Sequence, residues 1–185
     1  MTEDNPDEYV EWALAIMLRW RDRGVELPYF SIINEPGYKR SGIWSAEWMR
    51  TVVKRLGARM RQEGFRTMLV IPDDLNPAEA YKRASVVLRD SEARRYVGAL
   101  AYHLYDTKVS ELARDLAHMR NLAAEHGIPI WMTEFSVPND ITFSGAMEWM
   151  KIIHTLVATY NVSAVDYMWG FFGAWEKNHT ILSIE

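Results

Sequence analysis

Short, continuous apolar runs alternate along this chain with longer stretches in which apolar residues recur every three or four positions. The longer stretches predict amphipathic helices, and the short runs predict buried strands. Strands that read as continuous apolar runs and alternate with helices are typical of a parallel sheet covered by helices. The pattern therefore predicts an α/β fold built around one parallel sheet.

The short apolar runs predict five strands, at 28–34, 67–71, 97–105, 129–133 and 164–169. A complete α/β barrel has eight strands and typically about 250 residues. Five strands in 185 residues therefore predict a partial TIM barrel. No linker or low-complexity stretch interrupts the order of elements, so residues 1–185 are predicted to form a single domain.

The starts of three predicted helices carry capping residues, namely Asn5, Ser45 and Asn76. An N-cap side chain satisfies a backbone N–H that the first helical turn leaves free. The first two helices are predicted to end at Gly24 and Gly64, because glycine readily takes the left-handed conformation that ends a helix. Two further helices are predicted at 109–126 and 144–160.

Composition places the chain among ordinary globular proteins, with 49% hydrophobic and 25% charged residues. Its net charge is −4 and it has no basic block, so we expect no nucleic-acid partner. It has no cysteine, which excludes disulfides and thiolate metal sites. We expect no membrane partner, because no apolar run approaches about 20 residues. No signal peptide is recognised in the sequence, and localisation stays open.

Two of the predicted strands end in a glutamate. Ile32 and Ile33 lead to Asn34 and Glu35, and the run from Ile130 leads to Glu134. Carboxylates at the carboxyl ends of parallel strands lie at the rim where α/β barrels build their active sites. Two carboxylates facing one cleft are the minimum equipment for cutting a glycosidic bond.

Side chains along a strand alternate between its faces. This rule predicts four sets that share a face: Ser31, Ile33 and Glu35; Ala101, His103 and Tyr105; Ile130, Met132 and Glu134; Val165, Tyr167 and Trp169. If the two glutamates face one cleft, His103, Tyr105 and Trp169 can face it too. Asn34 lies beside Glu35 at the rim and is within reach of a ligand.

Other polar and aromatic residues are interpreted as structural. Asp73 and Asp74 are read as turn and cap residues before the Asn76 helix, since two adjacent aspartates without a spaced third ligand are weak evidence for a metal. We predict neither a metal site nor a cofactor. Trp12 and Trp20, on a helical pattern, are predicted to be buried in the core.

Asn34-Glu35-Pro36 closing one strand, Tyr102 to Tyr105 closing another, and Trp131 to Ser136 closing a third make up an ordered set. With this set the chain resembles the retaining (β/α)8 glycoside hydrolases, and most of all glycoside hydrolase family 30. The resemblance extends over nearly the whole chain, which matches the fourth to eighth strands of that barrel. It implies a carbohydrate substrate and no cofactor.

The resemblance also implies a role for each matched residue. Glu35 would be the general acid/base and Glu134 the nucleophile of a retaining mechanism on a β-linked glycoside. Asn34 would hydrogen-bond a sugar hydroxyl, and Tyr105 would orient Glu134. His103 would line the subsite, and Trp169 would provide the stacking floor.

The first three strands of the family barrel have no counterpart in this chain. Five strands leave two sheet edges with unpaired backbone groups, and we expect the chain to form a homo-oligomer through them. One alternative is a catalytically impaired half-barrel that folds by self-association. Another is that a second polypeptide supplies the first three strands.

Overall fold

The fold was determined as a computed structural model that describes residues 5–39, 42–106, 109–136, 142–168, 171–173 and 182–184. The strands of these ranges are β1 (Tyr29–Ser31), β2 (Met68–Asp74), β3 (Val97–His103), β4 (Ile130–Glu134), β5 (Val162–Val165), β6 (Phe171–Gly173) and β7 (Leu182–Ile184). The helices are α1 (Pro6–Arg21), α2 (Ala46–Gln62), α3 (Pro77–Arg89), α4 (Ser91–Arg94), α5 (Val109–His126) and α6 (Phe143–Tyr160).

The first five strands form one parallel sheet in the order β1-β2-β3-β4-β5, with helices between successive strands. This is the architecture of a partial TIM barrel, as the sequence predicts. Strands β6 and β7, which were not predicted, pair with each other in a separate two-stranded parallel sheet. No described helix is both long and apolar enough to cross a membrane.

Three helices begin where their capping residues predict. The side chains of Asn5, Ser45 and Asn76 each accept a hydrogen bond from a backbone N–H of the first turn, at 3.0–3.1 Å. These contacts satisfy donors that the helix leaves free. The single-turn helix α4 was not predicted, and it begins at a similar cap formed by Asp90.

The core lies mainly between the sheet and its helices. Leu69, Ile71 and Leu100 of the sheet are fully buried against apolar helix residues such as Met49 and Leu56. The opposite face of the sheet is covered differently. There Val70, Ala99 and Ala101 form a small buried cluster against Trp131. Alternation along β3 places His103 on the same face as Ala99 and Ala101.

The predicted burial of Trp12 and Trp20 is wrong. Their exposed fractions are 51% and 45%, and both lie on α1, the helix that precedes the outermost strand β1. Apolar periodicity identifies residues that suit a packed interface, but a neighbouring element must be present to cover them.

Several strand ends differ from their predicted positions. β1 ends at Ser31 and β3 at His103, so Glu35 and Tyr105 lie in the loops that follow. β5 spans Val162–Val165 and ends before the predicted limit. Trp169, predicted at the end of this strand, lies outside the described residues.

Candidate active site

The carboxyl ends of β1, β3 and β4 bring Glu35, His103 and Glu134 together. Glu35 follows β1, while His103 and Glu134 are the last residues of their strands. One oxygen of each carboxylate and one ring nitrogen of His103 all lie within 4.8 Å of one another. Residues that are 68 and 99 positions apart from Glu35 therefore meet at one rim of the sheet, as the strand-end pattern predicts.

The backbone around Glu35 directs its side chain toward the rim. Glu35 has a φ of 50°, in the left-handed region that non-glycine residues seldom occupy. Its N–H donates to the carbonyl oxygen of Asp73 at 2.8 Å, and its own carbonyl oxygen accepts from the N–H of Tyr38 at 2.9 Å. Glu35 is only 8% exposed, so this turn holds the carboxylate in a largely buried position.

Glu134 reaches the site through an irregularity in the sheet. Strict alternation predicts that it shares a face with Ile130 and Met132, but that prediction is wrong because those two residues pack in the core among the helices. The register between β3 and β4 shifts at this point, so that Tyr102 pairs with Met132 and His103 with Glu134. Such an irregularity redirects a side chain, and it places Glu134 on the same side as His103.

Asp73 is a site residue that the sequence interpretation missed. Its carboxylate accepts hydrogen bonds from Ser31 of β1, at 2.6 Å, and from Thr133 of β4. It also lies 3.4 Å from Nε2 of His103 on β3. The reading of Asp73 as a turn residue was wrong. It ends the apolar run of β2 just as the two glutamates end theirs, and this was the signal that could have identified it.

Hydrogen bonding keeps Asp73 ionised despite its burial. Burial alone would raise the pKa of this carboxyl, but the hydrogen bonds from His103, Ser31 and Thr133 outweigh that effect and lower it. Asp73 therefore supplies a fixed negative charge beneath the two glutamates.

His103 is buried and lies among three carboxylates. Its Nδ1 lies 2.9 Å from Oε1 of Glu35 and 4.0 Å from Oε1 of Glu134, while Nε2 faces Asp73. Burial acts to lower the pKa of the imidazole, but hydrogen bonds to Asp73 and Glu35, with the charges of Asp73 and Glu134, raise it overall. His103 is only 1% exposed, so it contacts the carboxylates from the interior of the protein.

Tyr105 lies close to both Glu134 and His103. Its ring packs edge-on against His103 with centroids 5.9 Å apart, and its hydroxyl donates to Sδ of Met168 at 3.3 Å. Burial raises the pKa of Tyr105 to about 12, helped by the charges of Glu134 and Glu35 and a hydrogen bond to Glu134, and opposed by a hydrogen bond to Ser136. A neutral tyrosine hydroxyl therefore stands beside Glu134.

Asn34 is exposed in the bend just before Glu35. Its amide is thus open to solvent at the rim, next to the buried carboxylate. The remaining predicted site residue, Trp169, lies outside the described residues, so its predicted position in the cleft is untested.

A metal ion could be bound by the side chains of Glu35, His103 and Glu134, because their ligand atoms lie close together. Both ring nitrogens of His103 face carboxylates, and its pKa is raised, which favours the protonated imidazole. A doubly protonated imidazole has no lone pair for a metal, so a metal ion would have to displace a proton from His103.

Comparisons with known proteins agree with this geometry. A family model described as the glycosyl hydrolase catalytic core matches residues 88–176. The fold is similar to that of a family 30 endoxylanase from Clostridium papyrosolvens C71, with a TM-score of 0.72 and 25% identity over 88% of this chain and 40% of that one. No curated protein sequence matches the chain.

Two further solved structures share the fold. The subfamily 8 xylanase of family 30 from Clostridium acetobutylicum has a TM-score of 0.73 and 22% identity, covering 91% of this chain and 43% of that one. An endo-β-1,6-glucanase has a TM-score of 0.73 and 20% identity, covering 92% and 39%.

The chain is similar to the (β/α)8 glycoside hydrolases of family 30. It spans about 40% of the length of these solved structures. The likeness therefore concerns five strands of the barrel and the rim residues that those strands carry.

Proposed function

We propose that this chain is the catalytic portion of a retaining glycoside hydrolase that cleaves a β-linked polysaccharide or glycoside. The observation that carries this proposal is the approach of Glu35 and Glu134, whose nearest carboxylate oxygens lie within 4.8 Å. Retaining enzymes hold their two carboxyl groups about 5–5.5 Å apart, and inverting enzymes about 6.5–9.5 Å apart. The spacing favours retention.

In this proposal Glu134 attacks the anomeric carbon and forms a covalent glycosyl-enzyme, while Glu35 protonates the departing oxygen. Water then attacks the anomeric carbon, with Glu35 taking its proton, and the bond to Glu134 breaks. The hydroxyl of Tyr105, whose pKa the charge of Glu134 helps to raise, turns from Met168 to donate to Glu134 and orients the nucleophile. Asn34, exposed at the rim, binds a hydroxyl of the sugar.

The hydrogen bond between His103 and Glu35 supplies the proton for the first step. In the charged form of the imidazole, which the raised pKa of His103 favours, Nδ1 donates a proton to Oε1 of Glu35, 2.9 Å away. Passing that proton to Glu35 leaves a neutral imidazole whose Nε2–H still faces Asp73. Glu35 can then donate the proton to the leaving group, and it regains a proton when water attacks in the second step.

The substrate class is proposed from the relatives. Two of the solved structures are xylanases and one is an endo-β-1,6-glucanase, so the shared feature is a β-linked sugar backbone. We propose such a backbone as the substrate here, since the residues at the described rim are those the mechanism needs on any β-glycoside.

The proposal is tested by measuring the rate at which the Glu134→Gln variant hydrolyses an aryl β-glycoside or β-xylan. The variant keeps the shape of the side chain but lacks the nucleophile, so turnover should fall by about 10³-fold or more. Glu148→Gln, on the exposed face of α6, is the matched control and should retain wild-type turnover. Equal turnover in both variants and the wild type would exclude Glu134 as the nucleophile.

A second candidate is a half-barrel whose catalysis is impaired and which folds by associating with another copy. This candidate is favoured by apolar side chains that are exposed on α1 and α6. In chain order these helices precede β1 and β5, the two outer strands of the sheet. The exposed side chains include Trp12 and Trp20 on α1, and Phe143, Met147, Met150 and Val157 on α6. A second polypeptide carrying three more strands would cover the same surfaces, and co-expression with such a segment should then raise activity.

A further inference from the structure

A buried ion pair between Asp74 and Arg83 lies next to the loop that follows Glu35, of which the structure describes residues 36–39 and 42–44. Asp74 is the last residue of β2 and its side chain is fully buried, while Arg83 lies on α3 with 12% of its side chain exposed. Nη1 of Arg83 lies 2.5 Å from Oδ2 of Asp74. The interpretation of Asp74 as a turn residue was therefore wrong, as it was for Asp73.

Both members of this pair also contact the loop. Burial raises the pKa of Asp74, and the backbone N–H of Gly37, at the start of the loop, is among the groups beside the carboxylate that oppose this rise. Nε of Arg83 donates to the carbonyl oxygen of Trp44 at 3.0 Å, at its end. The N–H of Trp44 in turn donates to the carbonyl oxygen of Pro36 at 2.9 Å, which closes the loop at its base.

Glu35 depends on this loop because it directly precedes it. Its left-handed conformation, with φ 50°, is strained for a non-glycine residue and persists only where the surroundings fix it. The N–H of Tyr38, inside the loop, donates to the Glu35 carbonyl oxygen at 2.9 Å. A shift of the loop would therefore move Glu35.

We propose that Asp74 and Arg83 are positioning residues for the acid/base Glu35, acting through the two ends of this loop. The inference rests on the proposed function in taking Glu35 as the acid/base. It assigns the pair a role beyond that of a structural salt bridge. Arg83 on α3 bonds both to Asp74 of the sheet and to Trp44 at the end of the loop, while Asp74 lies beside Gly37 at its start. A lysine in place of Arg83 could keep the charge but could not make both bonds.

The close contact at Gly37 offers a second way to disturb the loop. A Cβ atom at this position would lie 3.3 Å from Oδ1 of Asp74 and 3.4 Å from Nη2 of Arg83. The first distance is shorter than an ordinary van der Waals contact and the second is at its limit, so Gly37→Ala should shift the loop and the pair apart by a few tenths of an ångström. All charges are kept in this variant.

The test follows the titration of His103 by NMR, because Nδ1 of His103 contacts Glu35 directly. The groups that face this imidazole are Glu35, Asp73, Glu134 and Tyr105. In Arg83→Lys and in Gly37→Ala we expect Glu35 to move away from Nδ1. The pKa of His103 should then fall by about 0.5 or more, since it loses a partner that stabilises its charged form.

Lys82→Met is the matched control. Lys82 neighbours Arg83 on α3 and pairs with the same Glu79, but its side chain is 67% exposed. The titration of His103 should be unchanged in this variant. If Arg83→Lys does not fold, Gly37→Ala carries the test alone. The proposal would be overturned if His103 titrated in the folded variants with the same pKa as in the wild type. This holds even if the variants melt at a lower temperature.

Hydrolysis separates this inference from the proposed function. If the chain is active, both variants should lose about tenfold more kcat/KM on glycosides with poor leaving groups than on those with good ones, because only poor leaving groups need the acid. A shifted His103 titration in a chain without any hydrolysis would uphold the positioning role and reject the proposed function. If kcat/KM fell by the same factor on glycosides with poor and with good leaving groups, the claim that the pair positions the acid Glu35 would be overturned.

Discussion

The backbone N–H of Glu35 donates to the carbonyl oxygen of Asp73 at 2.8 Å, and both residues have a left-handed backbone, with φ values of 50° and 57°. Such conformations cluster at functional sites, where neighbouring structure holds them in place. Here one hydrogen bond joins the turn that carries Glu35 to the strand end that carries Asp73. The two carboxylates then lie on opposite sides of His103.

The stability of the protein should fall as pH rises through the pKa of His103. The folded-state pKa of this imidazole is raised, so its charged form contributes stability that is fully present below the unfolded-state value of about 6.5. That contribution is lost as pH rises through the raised folded value. Thermal melts across this window should show the loss in the wild type.

His103→Gln should remove this pH dependence, because the titrating group is gone. Asp73 contributes the opposite slope at low pH. Its pKa is lowered in the fold, so its contribution is present above about 3.9 and is lost as pH falls through the folded value. A His103→Gln variant that keeps the wild-type slope above pH 6.5 would assign that slope to another group.

Tyr105→Phe should slow catalysis without unfolding the chain. The hydroxyl lies beside Glu134, whose charge helps to raise its pKa, and the ring contact with His103 survives the change. Loss of one orienting donor should lower kcat/KM by about tenfold or more. Tyr160→Phe on α6 is a control, and it should behave as the wild type. An unaffected Tyr105→Phe enzyme would mean that other contacts orient Glu134.

Gly57→Ala should destabilise the protein although alanine favours helices by about 1 kcal/mol over glycine. Gly57 is buried in the middle of α2, and a Cβ there would lie 2.1–2.6 Å from ring atoms of Tyr96. Relief of this overlap should cost about 1–3 kcal/mol. Urea unfolding measures the net change.

Pairing Gly57→Ala with Tyr96→Leu tests the cause. The smaller leucine side chain makes room for the added methyl, so the alanine should cost less in the Tyr96→Leu background than in the wild type. An equal cost in both backgrounds would show that the overlap with the Tyr96 ring is not responsible.

The chain should associate with itself at micromolar concentration, as the exposed apolar residues of α1 and α6 indicate. Phe143, Met147, Met150 and Val157 follow spacings of four, three and seven along α6 and are 43–82% exposed, a stripe suited to packing against another helix. Light scattering at several concentrations should show a dimer or larger species. Met150→Glu should shift it toward the monomer, whereas Glu148→Gln should not. A stable wild-type monomer at all concentrations would contradict this prediction.

Much of the fold follows from local pattern. The caps at Asn5, Ser45 and Asn76 fix helix starts through bonds within a single turn, and the five parallel strands follow from apolar runs between helices. Glu35 and Glu134 are recognisable because each ends such a run, and parallel strands end at one rim. These features depend on residues close together in the sequence.

What only the tertiary structure decided was which side chains face the rim and what surrounds them. Strict alternation misplaces Glu134, because the register shift between β3 and β4 arises from how two strands fit together. Asp73 and Asp74 look alike in the sequence, yet one meets His103, Ser31 and Thr133 while the other pairs with Arg83. Adjacent residues on a strand end point to different neighbours, and those neighbours come from distant parts of the chain. The sequence alone therefore determined that carboxylates would lie at the rim. Long-range packing determined which residues surround them and how their pKa values shift.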